Sequence, residues 1–399
     1  MSDSNPLSRR LFTLGAIGAG AAALIPAGPS TLPAGAETSG ARPSTWSRRA
    51  TSAWQALQQH FAAEDGSGLY RESYPVQTED PTYSYEWPYS QAHQAALDLT
   101  GMSGGGGRYR KTLKAHDRAQ QHYWSDAGTT GLPGFASAPT APYGSGGDFF
   151  YDDNEWVGLL DVQHWAMHRD RRFLREAETL FDLVVSGWDD DASHAAPGGV
   201  FWTQATWSTD RNTVSNMPGA ELGLRLHQIT GRRRYLDWSL RMYRWTNRYL
   251  QRDDGLYCDH LDLEGTIEPT VWSYNQGVPI GVNALLGQVT GQRRYFTEAR
   301  RIARAADAYF GSDDRLHQQP VFFNSIYFKN LLLAESITGG HRGQQSLRSY
   351  AEWLWSSLDP KTRLHPAGDD GRVQMIEQAA TVQIFAALAW PTSRHHLFY

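Results

Sequence analysis

The chain has 399 residues, enough for one large domain or two small ones, and its 40% hydrophobic and 20% charged content is an ordinary globular balance. A formal net charge of −5 argues against nucleic acid or an anionic membrane as the main partner, and the lone cysteine, Cys258, excludes an intrachain disulfide. The 15 Trp, 19 Tyr and 15 Phe suit either a large core or a carbohydrate cleft, so composition does not choose between them.

The N-terminus reads as a targeting segment. Ser8-Arg9-Arg10-Leu11-Phe12 is a twin-arginine pattern, followed by an apolar run from Leu14 to Ile25 and by the small residues Ala34-Gly35-Ala36. The run is too short for a comfortable membrane span. Residues 1–36 are therefore expected to be a signal peptide that sends the chain out by the twin-arginine route, leaving a secreted protein with no membrane partner after cleavage. Residues 37–44 read as a polar linker and 45–399 as the folded domain.

From there the chain repeats itself. Gly231-Arg232-Arg233-Arg234-Tyr235 and Gly291-Gln292-Arg293-Arg294-Tyr295 each open a helical pattern, with looser copies at His168–Phe173 and Gly107–Arg110. The copies recur about every 60 residues, which is room for two helices and their links. Amphipathic helices are expected at 45–61, 108–124, 172–188, 234–250, 294–310 and 345–357. Helices apolar on most faces are expected at 88–100, 152–168, 214–230, 277–290, 322–338 and 376–389. The first set belongs outside and the second inside. Six alternating pairs describe an all-α fold, an (α/α)6 barrel, with an open solenoid of helix pairs as the alternative.

Link lengths give the barrel a polarity. Inner-to-outer links are short, whereas the outer-to-inner links 125–151, 189–213 and 251–276 are long and must all fall at the end where the inner helices begin. That end is polar in every pair: Tyr89-Ser90-Gln91, Asp152-Asp153-Asn154, Ser215-Asn216, Tyr274-Asn275-Gln276, Asn324-Ser325 and Glu377-Gln378. Helix capping accounts for Ser, Asp and Asn but less well for Gln and the aromatic neighbours, which a hydroxyl-rich ligand would use.

The adjacent acids Asp152 and Asp153 sit between Tyr151 and Trp156 at one of these starts. The bland reading makes Asp152 an N-cap whose capping box is completed by Glu155. The chemical reading notes that solvated charge is disfavoured on an inner helix unless it faces a cavity. Neighbouring side chains at a helix start can place carboxyl groups about 5–6 Å apart, near the retaining-glycosidase separation of about 5–5.5 Å. One of two such close acids stays protonated and serves as the acid while the other attacks the sugar; spacing does not say which.

Four segments resemble glycoside hydrolase family 76, the bacterial endo-α-1,6-mannanases: Tyr151-Asp152-Asp153-Asn154-Glu155-Trp156, Gly198-Gly199-Val200-Phe201-Trp202, Trp272-Ser273-Tyr274-Asn275-Gln276-Gly277 and Glu377-Gln378-Ala379-Ala380. Phe201 stands where the family more often has Trp. The resemblance implies an (α/α)6 barrel and retaining hydrolysis of α-1,6-mannose linkages by double displacement. Asp152 would be the nucleophile and Asp153 the general acid/base. The fungal relatives act more like transglycosidases on cell-wall glycans; a secreted, bacterial-type chain favours hydrolysis.

The expected partner is α-mannan or a manno-oligosaccharide, bound by a monomer. Tyr151, Trp156, Trp202, Trp272, Tyr274, Asn275 and Gln276 are the candidate sugar contacts; Asn216 is a further one, with capping as its competing role. Trp202 and Trp272 have a core-anchor reading as well. No cofactor is expected, and no metal: His260 with Asp259 and Asp262 is better read as solvated loop acids beside a histidine. Sugar epimerases and polysaccharide lyases share helical barrels, but the inner-helix starts lack histidine pairs and basic residues. A non-catalytic glycan-binding protein would keep the aromatics and amides and be indifferent to the aspartates.

Overall fold

The computed structural model describes residues 43–399, so the twin-arginine signal and most of the linker lie outside the described residues. Among the described residues, twelve α-helices alternate between two layers. The outer ones are α1 (Thr45–Phe61), α3 (Arg110–Gln120), α5 (Arg171–Ser186), α7 (Arg233–Tyr249), α9 (Arg293–Phe310) and α11 (Arg342–Ser357). The inner ones are α2 (Glu86–Gly101), α4 (Tyr151–His168), α6 (Met217–Thr230), α8 (Tyr274–Thr290), α10 (Val321–Thr338) and α12 (Met375–Ala389).

The layers follow from patterning. α5 buries Phe173, Ala177, Leu180, Phe181 and Val184, a single stripe at helical spacing. α4 buries every residue from Tyr151 to His164 and α8 every residue from Tyr274 to Gly287. Each inner helix packs on the next, and α12 returns to pack on α2. That last contact closes the (α/α)6 barrel and removes the open solenoid. Close approach inside the ring needs small residues: a Cβ on Gly277 of α8 would come within 2.5 Å of the Tyr327 Cα on α10.

The sequence repeat is the turn at the end where the inner helices finish, the base of the barrel. Residue 231 or 291, a glycine in the left-handed region (φ 71° and 68°), ends the inner helix. The hydroxyls of Thr230 and Thr290 accept from the amides of Arg232 and Gln292, two residues on. The outer helix then starts, and Arg234 and Arg294 lie over the rings of Tyr235 and Tyr295 at 4.8 Å. α4 ends the same way with Arg169 at φ 60°.

Two expectations of detail need correction. The helix expected at 108–124 is shorter, because 3-10 turns at Gly106–Tyr109 and Gln121–Tyr123 flank α3. The long links, read from sequence as loops, carry short antiparallel strands: β1 (Ser73–Tyr74) with β7 (Val373–Gln374), β2 (Trp124–Ser125) with β3 (Gly134–Phe135), and a sheet of β4 (Asp210–Asn212), β5 (His260–Asp262) and β6 (Ile267–Glu268). Two- and three-residue strands leave no alternation to detect in sequence.

The barrel axis is polar. Lys329 on α10 lies 2.6 Å from Asp98 on α2 and donates to Gln383 on α12 at 2.7 Å, while Gln163 on α4 donates to Asp98 at 3.0 Å. Glu221 on α6 is fully buried, and burial pushes its carboxyl from 4.5 up to about 8, only partly offset by Arg225. The folded state therefore keeps a proton that the unfolded chain releases. This contribution is complete below pH 4.5 and is lost as pH rises toward 8. Glu221→Gln should accordingly gain thermal stability over the wild type between pH 5 and 8.5, by about 2–4 °C at the upper end. Melting curves whose difference stays flat with pH would show that Glu221 is not protonated in the folded state.

Candidate active site

The acid pair is placed by strand-like pairing just ahead of α4. Phe150 bridges to Thr203, the Tyr151 amide donates to the Trp202 carbonyl at 2.9 Å, and the Thr203 hydroxyl donates to the Phe149 carbonyl at 2.7 Å. Phe150 is thus the N-cap, in extended conformation and without a side-chain cap. Asp152 and Asp153 fall inside the first turn, so the capping-box reading of Asp152 with Glu155 does not hold. Both carboxylates lie where a helix N-terminus favours negative charge. Asp152 keeps 8% of its exposure and Asp153 1%. The Trp202 indole donates to Asp152 Oδ2 at 3.3 Å. One turn further, Glu155 is buried; burial first, then the charge of Asp152, raises its carboxyl well above the usual range. A Cβ on Gly219 of α6 would lie 2.7 Å from Glu155 Oε1, so glycine makes room for that acid.

Two aromatic groups stand at the mouth, and one of them, through Trp202, touches the pair. On one side the Trp202 ring meets Phe150 (5.0 Å) and Trp207 (5.8 Å) edge-on, and Trp207 is 40% exposed. On the other, Tyr274 stacks on Phe323 at 3.8 Å and 3°, with Trp272 (5.3 Å) and Trp87 (6.2 Å) against the same Phe323 ring. Burial raises the Tyr274 phenol well above its ordinary range, and the charges of Asp259 and Asp152 add to it. Asn275 donates to Asp259 Oδ1 at 3.1 Å, and the other oxygen of Asp259 lies 2.9 Å from His260 Nδ1. Asp262 instead accepts from the Thr266 amide of its own turn. Trp87, Trp207 and Phe323 were missed from sequence, and Asp259 was read there only as a solvated loop acid. Trp87 and Phe323 occupy the same first turn of an inner helix as Asp152 and Tyr274, so aligning the six starts points to them.

The amides at the helix starts have another task. Asn154 accepts from the Phe135 amide (2.8 Å) and donates to the Phe135 carbonyl (3.0 Å). Asn216 does the same with Val200 (2.9 and 3.3 Å), and Gln276 with Tyr257 (2.7 and 3.0 Å). Each also donates to a carbonyl four residues back. A side-chain amide presents the same donor and acceptor as a peptide group, so each helix start clips its long link like one more strand. Asn216 and Gln276 therefore spend their polar atoms on backbone, which corrects their reading as sugar contacts. Tyr151 and Trp156 are likewise corrected: Tyr151 is 3% exposed with its ring filling the space beside Gly187, and Trp156 is 2% exposed with its ring 6.1 Å from that of Tyr399. Cys258 is buried, and its thiol is pushed up by burial. A cavity of about 360 Å3 beside α9 and α11, lined by Tyr327, Leu331 and Arg304, shares no residue with the mouth.

The sequence profile of Glycosyl hydrolase family 76 matches residues 44–388. The chain belongs to glycosyl hydrolase family 76. Its fold is shared with a family 76 mannosidase from Bacteroides thetaiotaomicron at TM-score 0.76 and 23% identity, covering 87% of this chain and 98% of that one. It is shared too with the α-1,6-mannanase of Salegentibacter, at TM-score 0.68 and 20% identity, covering 86% and 99%. That structure is an inactive variant with two consecutive aspartates changed to asparagine, in complex with α-1,6-mannotriose. A mannan endo-1,6-alpha-mannosidase of Candida glabrata is 27% identical over 210 residues, 48% of this family 76 chain and 42% of the yeast protein. The chain thus spans less than half the length of the curated fungal relatives it matches.

The amide clips make a testable claim about this family 76 barrel. Gln276→Ala removes partners from the Tyr257 amide and carbonyl and from the Trp272 carbonyl. It should cost about 2–4 kcal/mol in urea unfolding. A loss below about 0.5 kcal/mol would mean the link holds itself.

Proposed function

We propose that this chain is an exported glycoside hydrolase that cleaves α-1,6-mannosidic linkages with retention of configuration. The observation that carries the reading is the pair Asp152–Asp153 in the first turn of an inner helix, flanked by aromatic rings at the mouth. The inactivated consecutive aspartates of the Salegentibacter mannanase and the names of the fungal relatives support it.

In this reading Asp152 attacks the anomeric carbon, and the bond from that carbon to the leaving oxygen breaks. Asp153 gives its proton to that oxygen. Water then attacks the glycosyl–Asp152 ester, returning a proton to Asp153 and releasing the sugar with its original configuration. The Trp202 indole steadies the charge on Asp152 in the resting state. Burial and the charge of Asp152 favour the protonated form of Glu155, which limits negative charge beneath the pair. Trp202, Trp272 and Tyr274 offer ring faces to the mannose units, while Asn275, 1% exposed, spends its amide on Asp259 and so serves the site by holding that acid rather than by touching sugar. The fold, the acid pair and the leader together favour secretion and hydrolysis over passive glycan binding.

The test is incubation with linear α-1,6-mannan, following product size and anomeric configuration. Asp152→Asn and Asp153→Asn should each lower kcat at least about a thousandfold while leaving the melting temperature near wild type and mannotriose still bound. Undiminished turnover in either variant would remove the mechanism; binding without product from the wild type would favour a glycan-binding role.

A further inference from the structure

The turn repeat carries more charge than the fold uses. The five inner-to-outer turns (105–111, 168–172, 230–234, 290–294 and 338–342) hold twelve Arg and Lys against one acid, Asp170. The six outer-to-inner links (62–85, 121–150, 187–216, 250–273, 311–320 and 358–374) hold 22 Asp and Glu against seven Arg and Lys. Strict alternation puts every turn of the first kind at the base and every link of the second kind at the mouth. The net charge of −5 is therefore the sum of a basic end and an acidic end. That sum weighs against an anionic membrane as partner of the molecule as a whole and does not extend to the base alone.

Part of the basic ring is structural. Arg108, Arg234 and Arg294 lie over the tyrosine that follows each of them, and Arg169 over Trp165. Arg172, Arg232 and Arg233 reach Asp170, Glu178 and Asp237 at 2.7, 2.6 and 3.4 Å. Arg110, Lys111, Arg171 and Arg293 do neither: they are exposed, with no ion pair or ring contact among the described residues. They open outer helices, where the helix N-terminus disfavours a cation. The inner-helix ends beside them already have the stacked arginines. The large exposed apolar side chains, Val76, Trp207, Ile267 and Trp353, all lie outside these turns.

We infer that the base of the barrel is a docking face for an anionic phospholipid surface, which it meets through guanidinium–phosphate contacts with the mouth directed away. The cations form a ring around the barrel axis and follow no groove, so they match a plane of phosphates better than a single polyanionic strand. With no large exposed apolar side chain in these turns among the described residues, the face adsorbs without inserting, and salt releases it. This face is independent of the reaction at the mouth.

The test is sedimentation of the compact unit Arg42–Tyr399 with vesicles of phosphatidylcholine alone or mixed with phosphatidylglycerol. Binding is expected on the mixed vesicles only, and is lost between about 0.05 and 0.5 M salt. Arg110→Gln, Arg171→Gln and Arg293→Gln together should weaken it at least about tenfold. Arg248→Gln, Arg252→Gln and Lys361→Gln, an equal charge change toward the mouth, should weaken it less than about twofold. Melting curves confirm that both triple variants are folded. Equal binding to both vesicle types, equal losses from the two triple variants, or a preference for soluble polyglycerol phosphate over vesicles would each overturn the assignment.

Discussion

The constraint on which the rest depends is the left-handed turn that ends an inner helix and starts its outer partner within two or three residues. A link that short leaves the chain one option, an antiparallel return on the outside of the helix just finished. Three such turns, with short links at the ends of α2 and α10, aim every inner helix the same way and send every long link to the opposite end. The mouth, the gathering of six helix starts there and the charge difference between the two ends all follow from that parity.

At the mouth, one helical turn does two jobs. The side chain that points outward, Asn154, Asn216 or Gln276, takes a link into strand-like pairing and fixes where the chain arrives. Residues of the same turn that point inward, Asp152 on α4, Tyr274 on α8, Trp87 on α2 and Phe323 on α10, bring acids and rings toward one another. A rigid first turn holds its carboxylates without flexible side-chain intermediaries, which is what chemistry at a single bond needs.

Burial is handled differently along the axis. Toward the base the charge of Lys329 is matched by Asp98 and bordering amides. Nearer the mouth, desolvation raises the carboxyls of Glu155 and Glu221, which disfavours stacking negative charges under Asp152.

The sequence by itself determined the helix count, the two layers and the polarity of the barrel, because hydrophobic period, turn repeats and link lengths are local properties. It also singled out Asp152 and Asp153, since adjacent acids on an apolar helix have few structural uses. What the amides do was left to the tertiary structure: Gln276 looks the same in sequence whether it meets a hydroxyl or the backbone of Tyr257, nineteen residues earlier in the chain. The partnership of Tyr274 with Phe323 was hidden for the same reason, because their contact crosses two helices and an intervening link. So was the charged base, whose arginines stand about 60 residues apart along the chain and become neighbours only when the ring closes.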